Sequence, residues 1–167
     1  MLSKKIEKAL NTQVTSENYS AHYYLSIASW CETHALPGAA KFLYLHADQE
    51  RAHMMKLFHY INDTGGHAIV EPFQVPPAAF KSIEQVFKLV FENEKKITGQ
   101  INGLVDLCLV EKDHSTFNFL QWYVAEQHEE EKLFRDILDL ISRTGTDGKG
   151  LYFIDKEIGG LVNKVTA

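Results

Sequence analysis

The apolar residues of this chain recur at helical spacing in long segments. The stripe of the first segment consists of Ile6, Leu10, Val14, Ala21 and Ala28. Such spacing is typical of an amphipathic helix. Prolines occur only at positions 37, 72, 76 and 77, so long helices have to fit between them. The pattern predicts helices over about 4–31, 37–64 and 83–111, and a fourth that follows a cap at Asp113 or Ser115 and runs to about Arg143.

The connections between these helices predict how they are arranged. The turns "HALPGAA" and "KDHS" are short, so each joins two antiparallel helices. The link "HAIVEPFQVPPAAFKS" is interrupted by proline and long enough to run the length of a bundle. A further segment, "LYFIDKEIGGLV", predicts a short fifth helix. We therefore expect an all-α fold: an up-down four-helix bundle with one long crossover between helices 2 and 3, and a short C-terminal helix.

Composition and charge narrow the class of protein. A chain of 167 residues suits a single domain over 1–167. The formal net charge of −5 argues against a nucleic-acid partner, which needs a basic patch. The two cysteines form no CxxC pair, and no apolar run is long enough to span a bilayer. No signal-peptide pattern is present, so we expect a cytoplasmic protein without a membrane partner.

Each of the four long segments places one glutamate at the centre of its apolar stripe. These residues are Glu17, Glu50, Glu94 and Glu130. All four lie near the middle of their helices, so they should meet at a similar level in the bundle. A buried carboxylate is costly unless something compensates its charge. The pattern therefore predicts a polar site inside the core.

The chemistry of this site favours metal ions. Two carboxylates 5 Å apart repel by roughly 3 kcal/mol at an effective dielectric constant near 20. Four of them must take up protons or bind cations, and two divalent ions would balance their charge. His53 follows Glu50 in an E-x-x-H spacing and adds an imidazole ligand. An oxygen-rich set with one nitrogen suits iron or manganese better than structural zinc.

Other polar residues lie near this predicted site. Glu126 and Gln127 are each within roughly 60° of Glu130 around the helix, whereas His128 and Glu131 point away. Tyr24 lies on the same face as Glu17, two turns further along. His46 stands one turn before Glu50; we interpret it as a core histidine rather than as a ligand.

Several motifs identify a resemblance to the bacterial non-haem ferritins over essentially the whole chain. The strongest are "TFNFLQWYVAEQHEEEKLF" and "GLYFIDKE"; "MLSK", the "SW" at residues 29–30, "FENE" and the E-x-x-H pair support them. The resemblance implies a hollow shell of 24 subunits. Such a shell takes up Fe(II), oxidises it with dioxygen or hydrogen peroxide at a di-iron ferroxidase centre, and stores the ferric mineral.

The resemblance also implies roles for individual residues. Glu17, Glu50 and His53 would hold one iron, and Glu94 and Glu130, with Glu50 bridging, would hold the other. Gln127 would line the centre, Tyr24 would be a hydrogen-bond donor and electron source, and Trp122 would lie close by. A third iron site would use Glu126, Glu129 and Glu130. This chain has Gln49 where the family has a further glutamate, which should weaken that third site.

Three functional hypotheses follow. The first is a ferroxidase and iron-storage enzyme without haem. The absence of a second E-x-x-H pair, and of a methionine between Glu50 and His53, disfavours bacterioferritin. The second hypothesis is a structural shell subunit with little ferroxidase activity, which a missing ligand would favour; all the ligands are present. The third, a DNA-protecting relative, would call for a basic tail and a site between subunits.

Overall fold

The computed structural model describes residues 2–165, with side chains as far as Val162. Within this range the chain forms five α-helices and no strand. They are α1 (Lys4–Thr33), α2 (Pro37–Asp63), α3 (Ile83–Glu111), α4 (His114–Thr144) and α5 (Gly148–Val165). None of the described helices is both long and apolar enough to cross a membrane. The predicted all-α architecture is confirmed.

The helix boundaries follow from local capping. Ser82 accepts a hydrogen bond from the Gln85 backbone and begins α3. Of the two caps expected for α4, the structure selects Asp113, whose carboxylate accepts from the Thr116 backbone at 2.9 Å. Helix α5 begins at Gly148, earlier than its apolar residues alone predict. A cap satisfies backbone N–H groups that the first helical turn leaves unpaired.

The long crossover lies along α1. Near its start the Ile69 backbone donates to the Asn11 side chain at 2.7 Å. Near its end the Ser26 hydroxyl donates to the carbonyl of Pro77 at 2.8 Å. Asn11 and Ser26 are roughly 22 Å apart at 1.5 Å per residue. The link therefore returns the chain along the bundle, and α3 runs parallel to α2, as the sequence predicts.

The core of the bundle is divided into two apolar clusters. One is formed around Tyr24, Phe42, Phe87 and Phe134, and α5 packs against it. The other is formed around residues such as Leu10, Leu57, Ile101 and Leu120 towards the opposite end. Buried polar residues lie between them, at the middle of the four long helices. This polar midsection is where the predicted glutamates are found.

Helix α5 is attached to the first turn of α2. Position 36, before α2, is a leucine and provides no side-chain cap. Instead, the Asp155 carboxylate of α5 accepts from the backbone N–H groups of Gly38 and Ala39 at 3.0 and 2.8 Å. The two helices approach so closely that a Cβ atom at Gly159 would lie 2.8 Å from the Gly38 Cα. This contact requires glycine on both sides.

We expect Gly159→Ala to lower the free energy of unfolding by about 1–3 kcal/mol, as overpacking of a close contact does. Gly160→Ala is the matched control, because a Cβ there meets nothing within 4 Å. The control should be neutral or gain up to about 1 kcal/mol from helix propensity. Chemical unfolding of the two variants measures the difference. Equal stability would show that the α2–α5 contact is not a tight one.

Candidate metal centre

The first part of the polar midsection is a cluster on α1 and α2. Glu17, Glu50 and His53 each offer a ligand atom, and these atoms all lie within 4.8 Å of one another. All three residues are buried, with at most 5% of their surface exposed. Glu50 and His53 are three residues apart, which places them on one face of α2. Within the described part of the chain, this is the one such group of His, Cys, Asp or Glu residues that could hold a metal ion.

Glu94 forms the second part of the midsection, on α3. Its carboxylate accepts hydrogen bonds from the Tyr24 hydroxyl and, at 3.0 Å, from the Gln127 amide. The Asn93 amide in turn donates to the Tyr24 oxygen at 3.0 Å and to the Ser20 hydroxyl at 2.8 Å. The carboxylate of Glu94 is thus held by neutral donors on α1 and α4.

Glu130 on α4 is the fourth buried carboxylate. Its Oε2 atom lies 3.5 Å from Nε2 of His46, too far for a short hydrogen bond, and it has no hydrogen-bond partner. The Oε2 atom of Glu17 is also buried and without a partner. Buried polar atoms are normally paired, and unpaired ones need an explanation. Two carboxylate oxygens without a partner, together with the imidazole of His53, suit a divalent cation.

Burial and mutual repulsion raise the pKa values of these carboxylates. Burial raises the pKa of Glu17 to about 7 and that of Glu94 to about 8; the charge of Glu130 adds to both shifts. Burial, together with the charges of Glu94, Glu17 and Glu130, raises the pKa of Glu50 well above its usual range. The cluster therefore holds protons near neutral pH unless cations replace them.

The pKa of His53 is shifted downwards, in contrast to the raised pKa values of the carboxylates. Burial lowers the pKa of its imidazole, although the charge of Glu130 acts against this. Its backbone carbonyl accepts a hydrogen bond from the Tyr123 hydroxyl at 2.7 Å, which fixes this turn of α2. A neutral imidazole keeps the lone pair that a metal ion needs.

Most of the residues predicted from the sequence line the midsection. The buried ones are Glu17, Tyr24, Glu50, His53, Glu94, Gln127 and Glu130. Glu126 is half-buried, with Oε1 3.8 Å from Nε2 of His53. Glu129 is exposed. Trp122 lies close to the cluster, as expected, with its ring centre 5.3 Å from that of His53.

Sequence reasoning missed the neutral residues that orient these acids. The buried amide of Gln13 donates to Glu17 at 2.8 Å, and Asn93 holds Tyr24 as described above. A signal for Gln13 existed, because it precedes Glu17 by one helical turn. Asn93 carried no comparable signal. His46 was interpreted as a core residue, and it is indeed buried, but its Nε2 atom faces Glu130.

Comparisons with known proteins find relatives over nearly the whole chain. The family profile described as a ferritin-like domain matches residues 7–144. A probable bacterial non-heme ferritin-like protein of Haemophilus influenzae is 49% identical, covering 98% of this chain and 99% of its own. A bacterial non-heme ferritin of Campylobacter jejuni is also 49% identical, covering 95% of each chain. An open-pore ferritin of Archaeoglobus fulgidus superposes with a TM-score of 0.93 at 38% identity, covering 95% of this chain and 98% of its own.

Proposed function

Since the chain belongs to the ferritin-like family, we propose that it takes up Fe(II), oxidises it to Fe(III) inside the bundle and stores the ferric product in an oligomeric shell. The observation that carries this proposal is the cluster of Glu17, Glu50 and His53 in the midsection. Glu94 and Glu130 complete a set of four buried carboxylates around it.

The charge of the four carboxylates matches two Fe(II) ions as the substrate. We assign Glu17, Glu50 and His53 to one ion, and Glu94 and Glu130 to the other, with Glu50 shared. The four carboxylates together balance two divalent ions, and binding releases the protons that the raised pKa values hold near neutral pH. Gln127 would lie beside the second ion, and its amide donates to the Glu94 carboxylate at 3.0 Å.

The residues of the centre favour loss of an electron from the bound iron. Hard carboxylate oxygens bind Fe(III) more tightly than Fe(II), which lowers the free energy of the oxidised state. Two Fe(II) ions give two electrons, and dioxygen with two protons accepts them to form hydrogen peroxide. The Tyr24 hydroxyl, which already donates to Glu94, is a nearby source of a further electron and proton. A carboxylate can bind a metal ion through one or two oxygens. This change of binding mode lets the ferric product leave the centre.

Storage of the ferric product requires that subunits assemble into a shell. Exposed apolar side chains on the subunit surface support such an assembly. Large apolar side chains are exposed on the outside of the isolated subunit, among them Leu109, Val110, Tyr152 and Phe153. Exposed apolar surface of this kind often marks contact with other chains. We propose that these subunits, each a single domain over 1–167, form a cytoplasmic 24-subunit shell.

Aerobic addition of Fe(II) to metal-free protein tests the proposal. Wild type should form ferric absorbance at least about tenfold faster than buffer, and Glu130→Ala should lose most of this advantage. Glu131→Ala is the matched control, because its side chain lies on the partly exposed outer face of the same helix. A wild-type rate equal to that of buffer would refute the ferroxidase function and leave a passive shell. Sedimentation of the same sample measures the size of the assembly.

A further inference from the structure

Three tyrosines of α1 form a chain of neighbouring rings that begins at the buried carboxylates. The Tyr24 hydroxyl donates to the Glu94 carboxylate. The ring centre of Tyr24 lies 5.9 Å from that of Tyr23. The Tyr23 ring in turn stacks on the Tyr19 ring, with centres 5.6 Å apart and an interplanar angle of 21°. Aromatic rings at these separations are in contact, so the three rings form a continuous path out of the polar midsection.

The chain of rings runs from the interior of the subunit to its surface. Tyr24 is fully buried and Tyr23 is 5% exposed, whereas Tyr19 is partly exposed. Tyr19 also lines a pocket of about 220 Å³ between α1, α3 and the crossover, together with Phe73 of the crossover and the exposed Lys96. The outer end of the chain is therefore within reach of small molecules in the solvent.

The other aromatic neighbours do not offer an equivalent path. The Tyr24 ring centre lies 6.4 Å from that of Phe134, and the Tyr23 ring centre lies 6.5 Å from that of Phe80. A phenylalanine ring is much harder to oxidise than a phenol, because it has no hydroxyl group to release a proton. Burial raises the pKa of Tyr23 to about 12, so at neutral pH this phenol gives up an electron only together with its proton.

We propose that Tyr24, Tyr23 and Tyr19 form a relay that carries one oxidising equivalent from the iron centre to the surface of the subunit. The relay acts when a centre that holds a single Fe(II) binds hydrogen peroxide, the product of the oxidation proposed above. Without a second electron donor, this pair of reactants releases a hydroxyl radical. With the relay, Fe(II) gives one electron and a phenol gives one electron and one proton. The O–O bond breaks, and with one further proton from solvent the products are Fe(III), a phenoxyl radical and two water molecules.

The radical then moves outward along the three rings. The Tyr24 radical takes an electron and a proton from Tyr23, and the Tyr23 radical takes them from Tyr19. Each step restores the phenol that was oxidised before it. At Tyr19 a further Fe(II) in the solvent returns the electron, and water supplies the proton. The relay thus removes the second oxidising equivalent of the peroxide from the buried carboxylates.

The inference rests on the proposed function, which supplies both the Fe(II) and the hydrogen peroxide. Spin trapping tests it on protein loaded anaerobically with one Fe(II) per subunit. Hydrogen peroxide is added together with a nitroso spin trap that reacts with accessible phenoxyl radicals, and peptide mass spectrometry locates the adduct. In wild type we expect the adduct on Tyr19. Tyr23→Phe keeps the ring and loses only the hydroxyl, and it should lower the yield of this adduct about tenfold or more.

Electron paramagnetic resonance of rapidly frozen samples gives the second measurement. In Tyr23→Phe the radical should remain on the buried Tyr24, and ascorbate should remove it about tenfold more slowly than in wild type, or slower still. Tyr44→Phe is the matched control. Tyr44 is a partly exposed tyrosine of α2 whose hydroxyl donates to Glu32 at 2.9 Å, outside the chain of rings. This variant should match wild type in both measurements.

The outcomes separate the relay from the proposed function. An adduct on Tyr19 that persists in Tyr23→Phe overturns the relay, because hydroxyl radicals then reach Tyr19 directly. Absence of the adduct from wild-type Tyr19 overturns it as well. In either case the proposed function stands if wild type still oxidises Fe(II) faster than buffer does. A wild-type rate equal to that of buffer refutes the proposed function, and the relay with it.

Discussion

Replacing Glu50 with alanine is expected to lower the initial rate of Fe(II) oxidation by about tenfold or more, to nearly the rate in buffer. Glu50 belongs to the cluster with Glu17 and His53, and the charges of Glu94, Glu17 and Glu130 all act on it. It is therefore the carboxylate that connects the two halves of the proposed centre. Stopped-flow measurement of ferric absorbance at a fixed ratio of iron to subunit gives the rate.

Asp48→Ala provides the matched control for this experiment. Asp48 is exposed and lies two residues before Glu50 on α2, so its loss removes the same charge from the same helix. It should oxidise iron at the wild-type rate. Both variants should be compared after their assembly size and helix content have been measured. A Glu50→Ala protein that assembles and still oxidises iron at the wild-type rate would show that the midsection is not the site of oxidation.

The stability of the metal-free protein should fall on the order of 4 kcal/mol between pH 6.5 and pH 8. Unfolded glutamates are already ionised in this range, whereas the folded state still holds protons on Glu17, Glu50 and Glu94. The folded state therefore binds more protons than the unfolded state, and stability decreases as pH rises through the folded pKa values of about 7 and about 8. His53 opposes this trend only slightly: burial lowers its pKa, so the unfolded state binds the extra proton, but an unfolded histidine has already lost most of that proton once the pH is well above 6.5.

Chemical unfolding in the presence of a chelator measures this pH dependence. Glu94→Gln should reduce the decrease by about 2 kcal/mol, because it removes one raised pKa and one of the charges acting on Glu50. Glu92→Gln is the matched control: this residue is exposed on the same helix and pairs with Lys95. A stability that stays level or increases over this range would contradict the raised pKa values.

The sequence predicts the helices and the level of the site because both depend on periodicity. Glu94 interrupts an apolar seven-residue repeat, so its burial follows from spacing alone. Spacing does not predict which donors reach a buried acid. The hydrogen bonds of Gln13 to Glu17 and of Asn93 to Tyr24 depend on side-chain rotamers and on the distance between helices. These are properties of the packed bundle.

The orientation of the His46 ring is another feature that the spacing of residues does not predict. Its i, i+4 spacing to Glu50 is visible in the sequence, but spacing does not tell a ligand from a core residue. The rings of Phe42 and Phe134 pack against the His46 ring, and the Phe42 carbonyl lies 3.1 Å from its Nδ1, so Nε2 faces Glu130. Phe134 comes from another helix. Only the three-dimensional contacts therefore show that this core histidine faces a buried carboxylate.

The division of the core into two apolar clusters implies a trade-off between durability and activity. Leucine at the four glutamate positions would join the clusters into one continuous hydrophobic column, and such a subunit should be more resistant to unfolding and chemically inert. Natural active sites commonly give up stability in this way. The subunit then regains it when cations bind, because a ligand that binds only the folded state stabilises that state. The resistance of the proposed shell to unfolding would thus depend on the iron that its subunits bind.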